Sequence, residues 1–534
     1  MRGFLASSIG VTCAAALALP LTPPAAAAHA PAPARAPDAA APAVNVATAT
    51  GRRAPTTEAP GSTQSLPLVP LARDRALGPT AEQGLPRRDV RHFSLVGVVW
   101  DDPDAELHGR VQVRTRAAGT GTWSGWQDVE THNADHAADP DTAERTSGPV
   151  RGATAPLWVG DSDGVEVRVR PESEPGPTGT ARGSRASTTS YSSLPSGLRL
   201  ELVDPGEAAP PTARTAAHAT AGAAVADGMG GADDTGGAHG TGGAHRTGVA
   251  GTAVGDTTVG HRATGGHRAA VRNIAPTADP AEALAAAEAS RVNTELSVSL
   301  GATEIPALGR RATERELLTL RSGKLTSEQR VKPYIGPRPR IVTRRGWGAD
   351  EKLRERGFVY TKKVDVAFVH HTASGNGYRC AQAPSVIRGI YRYHVKSMGW
   401  RDIGYNFLVD KCGNIYEGRA GGVAKPVLGA HTLGFNTNSM GIAVLGTFSS
   451  HKPPAAAVKA IAGLTAWKLG LHGGNPRGKT YLKSGGGNLY RKGKKVRLDV
   501  ISGHRDGFAT ECPGRQLYRK LGNARTTAAR YQGR

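Results

Sequence analysis

The pattern of apolar and polar positions along this 534-residue chain changes period several times, and the changes mark out its parts. From Arg91 onward the runs FSLVGVVW, GRVQVRTR, GVEVRVR and GLRLELV alternate apolar with polar residues between Gly, Asp and Pro turns. That period of two predicts several short strands, and with them an all-β, sandwich-like domain over residues 91–206. Beyond about Pro339 strand and helix signals alternate, which predicts an α/β domain over 339–534, a mixed β-sheet flanked by helices. Its strands are read in VDVAFVHH, YNFLVD, NIYEG, MGIAVLG and LDVISGH, with a hairpin turn around Lys411 to Gly413. One helix opens at Pro384, with Val386, Ile387, Ile390 and Tyr391 on one side. A second follows Pro454, with Val458, Ile461, Leu464 and Trp467 spaced for burial, and Leu517 and Leu521 mark a last one. Residues 29–90 and 207–338 hold neither period: the first are Ala/Pro/Thr-rich, and the second include a Gly/Ala/Thr/His tract with TGGAH repeats. They read as a disordered leader and a long low-complexity linker, with one helix-prone piece, DPAEALAAAEASRV, from Asp279.

Charge narrows the partners. With 67 Lys and Arg against 45 Asp and Glu the net charge is +22, which points to a polyanion, either nucleic acid or an anionic envelope. The first residues decide between them. Arg2, the apolar run FLASSIGVTCAAALALPL and the small residues ending AAAAHA read as a signal peptide, residues 1–28, cleaved after Ala28. Secretion leaves nucleic acid without a role and places the protein outside the cell, where anionic wall polymers would attract it. No later stretch approaches ~18 apolar residues, so no transmembrane segment is expected, and the protein is expected to be a monomer. Cys13 leaves with the signal, and Cys380, Cys412 and Cys512 remain in an oxidising space.

The candidate chemistry lies at strand ends. In VDVAFVHH the strand period puts Val364, Val366, Phe368 and His370 on one face, and Asp365, Ala367, Val369 and His371 on the other. The two adjacent imidazoles therefore point in opposite directions; one is a candidate metal ligand and the other needs a different task. LDVISGH ends at His504, and eight residues later Cys512 stands in TECPG. Two strand-end histidines and a loop cysteine are donors of the kind zinc takes. Three protein ligands would leave the fourth position to water, as a catalytic zinc requires. The β-rich domain offers less. GDSDG around Asp161 and Asp163 has too few ligands for calcium and reads as a turn, and Trp100, Trp123, Trp126 and Trp158 read as core. No constellation in that domain would do chemistry.

RRGWGAD, FVHHTA, GWRDIGYNFLVD, IYEGR, GAHTLGFNTNSMGIAVLG and GHRDGFATECPG, in that order, resemble the peptidoglycan recognition protein family. That family belongs with the type 2, zinc-dependent N-acetylmuramoyl-L-alanine amidases, related to phage T7 lysozyme. The resemblance covers about Pro339 to the C-terminus and not the β-rich region, although secreted actinobacterial members often carry such extensions. It implies zinc bound by His370, His504 and Cys512, with His371 left to a structural hydrogen bond. It also implies Tyr405 and Thr510 as catalytic residues, and His431, Asn436 and Arg419 as residues that line the substrate. Recognition-only members commonly replace the cysteine, which this chain keeps. More distant amidases have a glutamate where Ala443 stands here, so the resemblance names no general base. Cys380 and Cys412 flank the first helix and the hairpin, and we read them as a disulfide tying helix to sheet, at about 3–4 kcal/mol for a loop of that size.

Three functions from different classes follow. One is a secreted zinc amidase cutting bacterial peptidoglycan between N-acetylmuramic acid and L-alanine by attack of a zinc-activated water. The second is a peptidoglycan-binding recognition module with little or no hydrolysis. The third, a nucleic-acid-binding protein, rests on charge alone and stands behind an export signal. The retained cysteine and Tyr405 favour the first.

Overall fold

The computed structural model describes residues 61–71, 82–131, 135–146, 148–172, 192–207 and 280–534. The stretch read as a signal peptide, most of that read as a leader, and the His-rich tract lie outside them. Among the described residues no helix is long and apolar enough to cross a membrane.

The N-terminal part is all-β, as its alternation predicts. Its strands are β1 (Thr63–Pro67), β2 (Val69–Pro70), β3 (Gln83–Trp100), β4 (Gly109–Ala117), β5 (Gln127–Val129), β6 (Gly152–Ala153), β7 (Leu157–Pro171) and β8 (Arg199–Val203). They form one eight-stranded antiparallel sheet in the order β1-β8-β3-β7-β4-β5, with β2 and β6 also paired to β3. Pairing between β3 and β7 breaks register between Leu85 and Arg88 and again between Asp89 and Leu95. Irregularities of this kind bend a strand, so a single sheet can wrap a core. That core takes Val96, Val98 and Trp100 from β3, with Val111, Val113, Val165, Val167, Leu200 and Leu202. The expected boundary of this domain is corrected: β1 and β2 lie in the segment read as leader. β1 pairs with β8, Thr63 opposite Val203, a strand partner 140 positions away that no local pattern reveals.

The alternate residues of β3 do not face water. Leu95 and Val99, with Ala153, Trp158 and Val203, share a second core with Ile387, Ile390, Tyr391 and Tyr393 of the C-terminal part. Gly97 makes the approach possible: a Cβ there would lie 2.3 Å from the Tyr393 hydroxyl, which donates to Thr154 O at 3.1 Å. Strand β3 is therefore apolar on both faces because both are buried.

The C-terminal sheet is mixed and has seven strands in the order β17-β11-β14-β12-β13-β10-β9. These are β9 (Glu304–Ile305), β10 (Ile341–Val342), β11 (Val366–His371), β12 (Phe407–Val409), β13 (Ile415–Glu417), β14 (Ser439–Val444) and β17 (Ile501–Gly503). A separate hairpin pairs β15 (Lys479–Lys483) with β16 (Lys495–Asp499). LDVISGH thus serves two sheets, changing from β16 to β17 at Val500, where one strand was expected. The helices Ala383–Arg392, Ala455–Gly470 and Leu521–Gln532 flank the sheet near the predicted places. Cys380 and Cys412 are disulfide-bonded with a Cα–Cα distance of 6.2 Å.

A second boundary is also corrected. Residues 280–338 are not linker: the helix Pro280–Arg291, β9 and the helix Arg310–Arg321 pack on this sheet. Ile305 pairs with Ile341, and Leu296, Leu317 and Ile335 join the core around Val369 and Ile442. Apolar residues are sparse in this stretch, so each short piece is stable only against the sheet, and its composition reads as unstructured.

Candidate metal centre

The centre is built at the ends of the parallel strands β11 and β17. Strand parity separates the two histidines as predicted. Val366 and Phe368 pack in one cluster, Ala367 and Val369 in another. His371 follows the second set, and its Nδ1 accepts a hydrogen bond from Phe448 N at 3.2 Å. His370 follows the first, and its Nδ1 lies 3.8 Å from Cys512 Sγ while Thr432 Oγ1 stands 3.5 Å from its Nε2. Beside it in register on β14 is Ala443, which is buried.

His504 ends β17, where Asp506 Oδ2 accepts from Gly503 N at 2.9 Å and holds the turn. Cys512 is placed by its loop: Cys512 O accepts from Arg505 N at 3.0 Å, and Cys512 N donates to Thr510 Oγ1 at 3.2 Å. Gly514 completes the turn at φ +83°, and a Cβ there would strike Phe448 C at 2.4 Å.

A fourth donor joins these three. His136, from the segment between β5 and β6, places Nε2 3.5 Å from Cys512 Sγ, and its ring centre lies 4.5 Å from that of His504. Ligand atoms of His136, His370, His504 and Cys512 all lie within 4.8 Å of one another, and all four residues are buried. The β-rich domain, where no constellation was expected to do chemistry, thus places His136 among these donors. His136 is 376 positions from Cys512, and in the sequence only the adjacent Asp135 distinguishes it from the other histidines.

The residues fit zinc. Both ring nitrogens of His504 are buried without a hydrogen-bond partner, Nδ1 with Asp135 Oδ2 3.7 Å away, and a metal on one of them would relieve part of that cost. Burial, reinforced by His504, holds His370 well below the ordinary imidazole pKa, and burial takes His504 down to about 3. Both rings are thus in the neutral form a metal needs. Burial, with the charge of Asp135 next, pushes the Cys512 thiol up, a penalty that a bound cation would reverse.

The other predicted residues gather around this cluster. Tyr405 is buried with its ring 5.6 Å from that of His370, and burial keeps its phenol protonated. Thr510 is half-buried at the Cys512 loop. His431 touches His370, with ring centres 5.3 Å apart, but it is fully buried. Its Nδ1 lies 3.0 Å from Thr432 Oγ1 and its Nε2 3.4 Å from Ser439 Oγ. Arg419 and Asn436 are both engaged by the segment that carries His136. The Arg419 guanidinium pairs with both oxygens of Glu144, at 2.7 and 2.8 Å, and Asn436 Nδ2 donates to Ala137 O and Asp139 Oδ1, both at 2.9 Å.

Two family models match the chain. Residues 360–515 match N-acetylmuramoyl-L-alanine amidase, and residues 46–190 match a domain described as Rv3811 N-terminal galactose-binding domain-like. Among similar proteins is peptidoglycan-recognition protein SC1a of Drosophila melanogaster, 31% identical over 192 residues, 35% of this chain and 87% of that one. A human N-acetylmuramoyl-L-alanine amidase is 31% identical over 34% of this chain and 27% of its own length. The solved structure of Drosophila PGRP-LB is 25% identical over 34% of this chain and 92% of its own, with a TM-score of 0.26.

Proposed function

This chain belongs to the peptidoglycan-recognition protein family, and from that premise we propose that it is a secreted, zinc-dependent N-acetylmuramoyl-L-alanine amidase. It hydrolyses the amide between N-acetylmuramic acid and L-alanine in bacterial peptidoglycan, at the cell wall. The observation that supports hydrolysis over recognition alone is the convergence of His370, His504 and Cys512 with the buried phenol of Tyr405 beside them.

Each residue has a task that follows from its surroundings. His370, His504 and Cys512 would hold zinc, which would supply a Lewis acid and a water acidified to a pKa of about 7. Thr432 steadies His370 from behind, at Nε2, so that Nδ1 faces the centre. Tyr405, kept neutral by burial, donates its hydroxyl proton in a hydrogen bond to the carbonyl oxygen of the scissile amide as negative charge develops there. Thr510 holds the backbone N–H of Cys512 and so fixes the sulfur, and its hydroxyl adds a contact at the site's edge. The net charge of +22 favours retention on anionic wall polymers.

Metal analysis of full-length Cys512→Ala, with turnover on a muramoyl peptide, tests the assignment. Loss of zinc together with loss of hydrolysis is expected. Zinc content equal to that of wild type would overturn it.

A further inference from the structure

We propose that His136 is a fourth metal ligand, supplied by the β-rich domain, and that the segment Asp135–Thr146 closes the site, so that the chain folded this way is a self-occluded resting form. The inference rests on the zinc amidase reading above and adds to it a residue and a regulation.

The first observation is the ligand geometry. Asp135 Oδ1 lies 2.9 Å from His136 Nδ1, which leaves Nε2 as the metal-facing nitrogen, and Nε2 is the atom turned toward Cys512. A carboxylate behind a histidine is the common support for a metal-bound imidazole, because it fixes the tautomer and raises basicity. Three imidazoles and a thiolate make a complete tetrahedral set of the structural kind, with no position left for water.

The second observation is independent of the metal. The segment occupies residues proposed to bind substrate, using its own carboxylates. Glu144 takes Arg419 in a bidentate pair, and Asp139 Oδ1 accepts from Gly434 N at 2.7 Å as well as from Asn436. Leu433 N donates to Asp135 O at 3.0 Å, and Lys492 pairs with Asp141. Asp135, His136, Ala137, Ala138, Asp139 and Glu144 are all buried. The cavity left beside Cys512, between Glu130, His136 and Thr510, measures about 10 Å³, room for one water and not for a muramoyl peptide. Hydrolysis therefore requires this segment to withdraw. It is anchored by ion pairs and hydrogen bonds, the contacts a polyanionic wall or an acidic stem peptide can compete for.

The test uses the full chain loaded with cobalt in place of zinc, comparing wild type with His136→Ala. Azide is added as a small exogenous ligand and the visible spectrum is followed. We expect the wild-type spectrum to ignore azide, the His136→Ala spectrum to shift with azide, and imidazole to return the variant toward the wild-type spectrum. Hydrolysis of peptidoglycan should rise in the variant, because loss of the His136 ligand shifts the population from closed toward open. Glu144→Gln leaves every ligand in place and weakens only the anchor, so it should show a partial azide response with native circular dichroism even if His136→Ala folds poorly. An azide response equal in wild type and both variants would overturn the proposal. A variant that takes up azide but cuts nothing would uphold the ligand while refuting the amidase reading.

Discussion

At the scale of single residues, one strand period separates the two histidines of β11. His370 goes to the cluster with His504 and Cys512, and His371 to the Phe448 backbone N–H, and both destinations follow from which face each occupies. His136 has no such signal, since its role depends on a fold that brings it across 376 positions. Arg419 and Asn436 were readable as site residues only through the resemblance; that their partners are Glu144 and Asp139 emerges from packing between domains. Tyr405 carries the sharpest expectation at this scale. If its hydroxyl stabilises charge that exists only in the transition state, Tyr405→Phe should lower kcat by about 10²–10³, with KM little changed. Zinc content should stay at the wild-type level, because the ring and its packing remain. A near-wild-type kcat would return Tyr405 to a packing role, and loss of zinc would make it a support of the site.

At the scale of elements, long periodic segments were legible and short dependent ones were not. The helix Ala455–Gly470 and the strands β11 and β14 carry enough apolar residues to declare themselves. The pieces between Pro280 and Arg338 do not, because each contributes one or two residues to a core formed mainly by others. Asn293, just after the helix Pro280–Arg291, is the clearest case. Its amide donates to Glu417 Oε1 and accepts from Val423 N, both at 2.9 Å and buried. Asn293→Ala would strand a carboxylate oxygen and an N–H in the interior, so urea unfolding should show a loss of about 1–3 kcal/mol. Unchanged stability would mean that this stretch is an appendage after all.

At the scale of the whole molecule, the alternation in FSLVGVVW announced a β domain but not its docking. A strand buried on both faces and one facing water differ only in what covers the second face, and here the cover is the Ala383–Arg392 helix with Tyr393. The same docking brings His136 into the cluster with His370, His504 and Cys512. The central claim is that this chain cuts one amide bond, and it is tested most directly by incubating purified peptidoglycan with the full chain and with its His136→Ala variant. Mass spectrometry of the products should find stem peptides with a free L-alanine amino group and glycan strands stripped of peptide, more from the variant than from the wild type. Cleavage inside the glycan or within the stem, or binding by both proteins with no bond opened, would contradict it.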